Sequence, residues 1–229
     1  MRLERKIKMQ MKVAIIGVNG GVGTYLGKIL VKSDNKAVGF IRKPEQAEAL
    51  ENLGIETRLA DLMETSVEDY ARLLEDIDAI VFTAGAGGAG VELTKAVDGE
   101  GVRKMIAAAK IAEVNRFILV SAFPDAGRDQ ETTDSFETYM KVKRQADVDL
   151  TASKLAWTIL RPGTLTDNPG SGQVNLGHAI PYGEVSREDV ASVIAELLKH
   201  PETAYSILEL TEGDLTIEDA VLKLNRMRL

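Results

Sequence analysis

The glycine-rich stretch at residues 11–32 constrains the fold of this chain more than any other feature. Lys12–Ile16 is a short apolar run with β-branched residues, which is typical of a buried strand in a parallel sheet. The run ends in a cluster of glycines, Gly17, Gly20, Gly21 and Gly23. Apolar residues then recur at helical spacing, at Val22, Leu26, Ile29 and Leu30. This part of the sequence therefore predicts a strand, a tight turn and a helix.

The glycines of this turn suit a ligand that needs close approach to the backbone. Gly17 allows a tight turn, Gly20 leaves no Cβ in the way of a ligand, and Gly23 lets the helix pack closely on the strand. The helix N-terminus offers unpaired N–H groups and a partial positive charge, which favour a diphosphate. The spacing is G-x-x-G-x-x-G rather than G-x-G-x-x-G. We predict a dinucleotide site, and a turn that needs glycine only for packing is the alternative.

Composition limits the class of protein. The chain has 229 residues, which is enough for one domain with a large core. Its 28 basic and 35 acidic residues give a net charge of −7, so we expect no nucleic-acid partner. Because there is no cysteine, disulfides, thiolate metal sites and a cysteine nucleophile are excluded. The two histidines, His178 and His200, are far apart in sequence, and we expect no metal site.

The first ten residues are interpreted as an N-terminal extension, 1–10, ahead of a single domain at 11–229. They are basic and lack the apolar core of about 7–15 residues that a signal peptide contains. No run in the chain approaches the ~18 apolar residues of a membrane span. We therefore expect a cytoplasmic protein without a membrane partner.

Strand-like and helix-like segments alternate along the chain. The predicted strands after the first are Lys36–Ile41, Glu56–Leu59, 78–83, 116–121, 157–161 and 206–210. The predicted helices after the first lie at 44–53, within 61–75, and at 94–113, 136–153, Arg187–Lys199 and 216–226. This alternation predicts an α/β fold, a Rossmann doubly wound parallel sheet flanked by helices. The glycine- and proline-rich segment 164–185 is predicted to be a loop, which with the C-terminal elements forms a small substrate lobe.

The end of the second predicted strand carries a basic pair, Arg42 and Lys43. An enzyme that prefers NAD places Asp or Glu here, to accept a hydrogen bond from the ribose 2′-hydroxyl. A guanidinium would instead pair with a 2′-phosphate through charge-assisted hydrogen bonds. The pair predicts NADP (NADPH) as the cofactor, with NAD less favoured, and a solvated basic pair at a helix entrance is the alternative.

The ends of the third and fourth predicted strands are also candidate cofactor contacts. Asp61 and Leu62 stand where an adenine would lie, although Asp61 is equally suited to cap the following helix. The small residues at 83–88, including Ala84 and Gly85, suit a backbone wall beside a cofactor, or only a loop.

A group of three residues in the second half of the chain suits the reduction of a carbonyl. Ser121 closes the fifth predicted strand, and Tyr139 and Lys143 are four residues apart on the next helix, one turn apart on one face. A tyrosine there can donate a proton to a carbonyl, and a neighbouring ammonium lowers the pKa of the phenol and holds the ribose. Ser121 would hold the substrate oxygen.

Taken in order, these motifs resemble the short-chain dehydrogenase/reductase superfamily. The similarity is to its extended or atypical NAD(P)-binding branch, which includes NmrA-like, NAD-dependent epimerase-like and biliverdin/flavin-reductase-like proteins. The matching residues are the glycine motif at 17–23, Arg42, Asp61 and Leu62, Ala84 and Gly85, residues 117–121, Tyr139 with Lys143, and residues 161–164.

The resemblance implies a role for each matching position. The implied cofactor-binding residues are Gly17, Asn19, Gly20, Gly21, Val22, Gly23, Arg42, Lys43, Asp61, Leu62, Ala84, Gly85, Lys143, Pro162, Gly163 and Thr164. The implied catalytic residues are Ser121, Tyr139 and Lys143. The separation between Ser121 and Tyr139 departs from the usual family spacing, so cofactor binding is the firmer expectation.

The function expected from these residues is an NADPH-dependent reductase of a small carbonyl or a similar acceptor. Three alternatives stay open: a non-catalytic NADP-binding redox sensor of the NmrA-like type, a flavin/biliverdin-type reductase, and an epimerase or dehydratase. The candidates to line the substrate pocket are Phe123, Leu165, His178 and Tyr182. We expect a small-molecule substrate and a monomer or homodimer.

Overall fold

The computed structural model describes residues 10–127 and 131–226, and residues 1–9 of the expected N-terminal extension lie outside the described residues. The strands are β1 (Lys12–Ile16), β2 (Lys36–Ile41), β3 (Glu56–Leu59), β4 (Ala79–Phe82), β5 (Arg116–Val120), β6 (Ala156–Pro162), β7 (Thr164–Thr166), β8 (Gln173–Gly177), β9 (Glu184–Ser186), β10 (Ser206–Glu212) and β11 (Leu215–Thr216). The α-helices are α1 (Gly21–Lys32), α2 (Ala47–Glu51), α3 (Val67–Leu73), α4 (Val91–Thr94), α5 (Gly101–Ile111), α6 (Asp134–Thr151), α7 (Arg187–Lys199) and α8 (Ile217–Arg226). A π-helix, Lys95–Glu100, joins α4 to α5, and 3₁₀ turns lie at Pro44–Gln46 and Pro201–Thr203.

The main sheet has the order β11-β8-β10-β6-β5-β4-β1-β2-β3. Its strands from β3 to β10 pair in parallel, and β8 is antiparallel to both β10 and β11. The order reverses between β1 and β4, which is the switch point where a doubly wound sheet binds its ligand. The predicted α/β Rossmann fold is confirmed, with the difference that the sheet is mixed at the β8 edge.

The core lies on both faces of the sheet, because successive residues of β1 point to opposite sides. Val13 and Ile15 join the cluster formed with α1 and α7, which includes Leu26 and Ile194. Ala14 and Ile16 join the second cluster, which is formed with α3, α5 and α6 and includes Tyr70, Met105 and Leu150. Burial on both faces explains why β1 reads as a continuous apolar run.

The segment 164–185 differs most from expectation, because it contains three strands rather than a loop. β7 and β9 form a small parallel sheet of two strands, and β8 extends the main sheet. These strands are three to five residues long. Strands this short are defined by the partner they pair with, and local pattern does not reveal them. The small substrate lobe within the single domain 11–229 stays a prediction, and β8 places part of that lobe in the main sheet.

Two helices also differ from expectation in detail. The predicted helix at 44–53 is a 3₁₀ turn followed by the short α2, where the Gln46 side chain accepts hydrogen bonds from the N–H groups of Arg42 and Lys43. The predicted helix at 94–113 begins earlier, at Val91, and contains the π-helix. Among the described residues, no helix combines the length and the apolar character needed to span a bilayer.

Candidate functional site

The glycine turn between β1 and α1 is shaped by close backbone contacts. Gly17 has a φ of +96°, and a Cβ there would lie 2.5 Å from the backbone nitrogen of Ala84. A Cβ at Gly23 would lie 2.4 Å from the carbonyl oxygen of Gly17, so Gly23 serves packing. Gly20 is the N-cap of α1 and supplies no side-chain cap, and the first turn of the helix contains no acidic residue. The N–H groups of this turn are therefore available to an anion.

A cleft runs along the carboxyl ends of β1, β4 and β5. It consists of two cavities of about 480 Å³ and about 580 Å³. Four residues line both of them: Gly20, Thr83, Ala84 and Gly85. The glycine turn thus lies at the centre of one continuous cleft, whose size is in the range of cofactor and substrate sites.

The first cavity contains the predicted adenine end. Predicted residues that line it are Gly17, Asn19, Gly20, Arg42, Asp61, Leu62, Ala84 and Gly85. Arg42 is exposed and makes no ion pair among the described residues, so its guanidinium is available to a ligand. Lys43 does not line the cavity. Gln46, which the sequence did not suggest, lines it beside Arg42.

The turn at Asp61 and Leu62 is held in place from α5. Asp61 Oδ1 accepts a hydrogen bond of 2.8 Å from the backbone N–H of Met63. Lys104 Nζ donates to the carbonyl oxygens of Leu62 and Thr65 at 2.7 and 2.8 Å. The N-cap of α3 is Ser66, so Asp61 does not cap that helix. Asp61 lines the first cavity, and its contact with an adenine stays a prediction.

The second cavity brings together the three predicted catalytic residues, Ser121, Tyr139 and Lys143. Ser121 is 5% exposed, and its Oγ is buried without a hydrogen-bond partner among the described residues. A buried hydroxyl normally has a partner, and one that lacks it at a cleft wall is suited to hold a ligand atom. The predicted residues Gly21, Val22 and Pro162 line the same cavity.

Lys143 is paired with a carboxylate that the sequence did not suggest. Its Nζ lies 3.3 Å from Asp98 Oδ1 and 3.0 Å from the carbonyl oxygen of Val120. The side chains of Lys143 and Asp98 are 4% and 1% exposed. Asp98 lies in the π-helix, and its Oδ2 accepts a hydrogen bond of 2.9 Å from the N–H of Ala86. One buried carboxylate therefore joins Lys143 to the backbone wall that follows β4.

The pKa of Tyr139 moves opposite to expectation. Burial, reinforced by the carboxylates of Asp98 and Asp147, raises the pKa of Tyr139 to about 12. The expected lowering of this pKa by Lys143 was wrong, because burial of the phenol and the two nearby carboxylates raise the pKa instead. The Tyr139 hydroxyl has no hydrogen-bond partner among the described residues. Because Tyr139 lines the cavity, its hydroxyl is available to donate a hydrogen bond to a ligand.

A family model described as NAD(P)H-binding matches residues 17–201, which span both cavities. The chain belongs to this NAD(P)H-binding family. Its relative YhfK of Bacillus subtilis (strain 168), named an uncharacterised sugar epimerase, is 40% identical over 216 residues that cover 93% of this chain and all of YhfK.

Two solved structures share the fold. A protein described as an NAD-dependent epimerase/dehydratase, from Bacillus halodurans, is 33% identical with a TM-score of 0.86, over 93% of this chain and 99% of that one. The oxidoreductase ylbE from Lactococcus lactis is 29% identical with a TM-score of 0.83, over 94% of this chain and 97% of that one. The resemblance to the extended NAD(P)-binding branch is thereby confirmed.

In this member of the NAD(P)H-binding family, several predicted positions lie outside the lining of the cleft. Gly23, Lys43, Gly163 and Thr164 do not line either cavity. Thr164 Oγ1 is 2.7 Å from the Tyr182 hydroxyl, and Phe123 packs edge-on against the Tyr182 ring. His178 is exposed and bonds the Ile207 carbonyl. Of the four candidate substrate-pocket residues, Leu165 lines the cleft.

One further charged residue on the cleft, Arg187, was not predicted from the sequence. It is the first residue of α7 and lines the second cavity. A cation in the first turn of a helix opposes the macrodipole, which is the one local signal that could have singled it out.

Proposed function

We propose that this protein is an NADPH-dependent reductase of a small carbonyl or a similar acceptor. One observation carries the proposal: the buried Ser121 Oγ, which lacks a partner among the described residues, shares a cavity with Tyr139 and with the glycine turn. A hydrogen-bond donor, a proton source and an anion-binding helix N-terminus thus lie on one cleft.

The cleft fits a dinucleotide through its own residues. The glycine turn leaves open the space that a Cβ would fill, and the N-terminus of α1 would hold the diphosphate. The exposed Arg42, which also lines the first cavity, would pair with a 2′-phosphate. This pairing is the basis for proposing NADPH rather than NADH.

The residues of the second cavity supply the proton chemistry. When bound, a reduced nicotinamide supplies a hydride to the carbonyl carbon. Ser121 donates a hydrogen bond to the carbonyl oxygen, and Tyr139 transfers its phenolic proton to that oxygen, so the product is an alcohol. The phenolate then regains a proton from solvent. With a pKa of about 12, Tyr139 carries this proton throughout the neutral range.

The test is NADPH oxidation across a panel of carbonyls, quinones and flavins, with NADH as the cofactor control. Tyr139→Phe removes the proton and keeps the ring, and it should lower kcat by roughly 10²–10⁴-fold. Ser121→Ala should lower kcat/KM for the carbonyl in the same direction. Tyr205→Phe is the matched control, because Tyr205 is 62% exposed and packs on Trp157 away from the cleft. Undiminished carbonyl turnover by Tyr139→Phe would refute the mechanism.

A flavin/biliverdin-type reductase is the second candidate, and the pair between Lys143 and Asp98 favours it. Burial and the Asp98 carboxylate, which pairs with Lys143, make Tyr139 a weak acid. An acceptor that takes its proton from water does not need a proton from Tyr139. In the same assay, flavin reduction that survives Tyr139→Phe would support this candidate.

Two other outcomes would favour different functions. NADPH binding without any turnover would favour a redox sensor. Interconversion of nucleotide sugars would favour the epimerase activity that the names of two relatives suggest.

A further inference from the structure

Arg187 lies directly over the glycine turn, although it is far from it in sequence. A Cβ placed on Gly21 would lie 2.6 Å from Arg187 Cδ and 3.4 Å from its Nε. α7 packs against α1, and this brings the first residue of α7 to the N-terminus of α1. The absence of a side chain at Gly21 therefore makes room for the stem of Arg187 beside the helix N-terminus.

The guanidinium of Arg187 has a weak partner on the substrate-side segment. Its Nη1 lies 2.8 Å from Asp167 Oδ1 and donates at 3.4 Å to the carbonyl oxygen of Leu165. The Asp167 side chain is 91% exposed, whereas that of Arg187 is 29% exposed. An ion pair with so exposed a carboxylate is screened by water, so little free energy holds it together.

The other two cationic residues that line the cleft have different positions or partners. Arg42 lines the first cavity, and Lys143 is bound to the buried Asp98. Among the described residues that line the cleft, Arg187 is thus the cation beside the unneutralised N-terminus of α1.

We infer that Arg187 is a diphosphate-binding residue, and that it exchanges Asp167 for the diphosphate when a dinucleotide binds. The inference rests on the proposed dinucleotide binding and deepens it. In the free protein Asp167 neutralises Arg187, and in the complex two phosphate oxygens replace the single exposed carboxylate. A guanidinium suits this exchange because its forked donors bind phosphate oxygens in pairs. Binding also frees Asp167, so occupancy of the diphosphate site is linked to the segment that follows β7.

The test is calorimetric binding of NADP, NAD, ADP-ribose and adenosine 2′-monophosphate to the full chain. Arg187→Met keeps the packing over Gly21 and removes the charge. It should raise Kd for the three diphosphate ligands by about 10- to 100-fold and leave adenosine 2′-monophosphate unchanged. Arg42→Met should give the opposite pattern, weakening the two ligands that carry a 2′-phosphate. Arg187→Lys should recover part of the loss, since it restores charge without the fork.

Two further variants sharpen the result. Asp167→Asn removes the competing carboxylate, so it should tighten ADP-ribose binding by up to about 5-fold, an effect that shrinks at high salt. Arg72→Met is the matched control, since Arg72 pairs with Asp69 on α3, away from the cleft. ADP-ribose binding that is equal in wild type and Arg187→Met, with both folded by thermal melting, would overturn the inference.

These outcomes separate the inference from the proposed function. Binding that depends on Arg187 in a protein without reductase turnover would support the inference and refute the reductase. Reductase turnover, with no effect of Arg187→Met on any Kd, would support the reductase and overturn the inference about Arg187. A wild-type chain that binds none of the three diphosphate ligands would overturn both.

Discussion

The buried pair between Asp98 and Lys143 gives the sharpest prediction about stability. Asp98→Asn keeps the size of the side chain but leaves the ammonium of Lys143, 4% exposed, without its carboxylate. Removing one partner of a buried pair costs about 3–5 kcal/mol, because the remaining charge stays buried. Asparagine can still accept the hydrogen bond that Ala86 donates to Asp98, so we expect about 3 kcal/mol. For a chain of this size that corresponds to a fall in Tm of roughly 6–12 °C.

Chemical denaturation of wild type, both single variants and the double variant measures this cost. Lys143→Met leaves Asp98 unpaired and should also destabilise, whereas Asp98→Asn with Lys143→Met should lose less than the sum of the two. Asp149→Asn is the matched control, because Asp149 pairs with Arg103 at 2.7 Å on the surface and should change the free energy of unfolding by less than about 1 kcal/mol. An Asp98→Asn variant as stable as the Asp149→Asn control would refute the reasoning.

The remaining predictions concern the turn between β7 and β8, the phenol of Tyr139 and the choice of cofactor. Asp189 is 2% exposed and accepts bonds of 2.9 Å from the N–H groups of Ser171 and Gly172, so Asp189→Ala should lower the free energy of unfolding by about 3 kcal/mol in denaturant titrations. With a pKa of about 12, Tyr139 stays protonated, so kcat/KM for a carbonyl should not fall between about pH 6 and 9; a falling limb there would mean a lower pKa. Arg42→Met should weaken NADPH binding about 10- to 100-fold and leave NADH within about 2-fold, and equal losses would contradict 2′-phosphate recognition.

Local sequence pattern predicted those parts of the fold that local interactions determine. The bounds of β1, β2 and β3 agree with the expected runs, because each is a short segment whose composition differs from that of the turns around it. α7 also agrees, since it begins after the capping residue Ser186 and ends before Pro201. β7, β8 and β9 were missed because pairing with distant strands, rather than their own composition, makes them strands.

The candidate site was predictable where residues close together in sequence form the motif by themselves. The glycine turn and the pair Tyr139 and Lys143 are of this kind, and the structure brings them to one cleft. Asp98 was not predictable, because it is 45 residues from Lys143 in sequence and only the packing of the π-helix on α6 brings the two side chains together. Arg187 was missed for a similar reason, since only the packing of α7 on α1 places it over Gly21.

The most direct test of the reductase proposal is the transfer of deuterium from NADPH labelled at the reactive carbon of its nicotinamide. We expect the label on the former carbonyl carbon of the product with wild type, and a rate of label transfer that is roughly 10²–10⁴-fold lower with Tyr139→Phe. A wild-type protein that binds NADPH tightly, yet transfers no label to any carbonyl in the panel, would contradict the proposal.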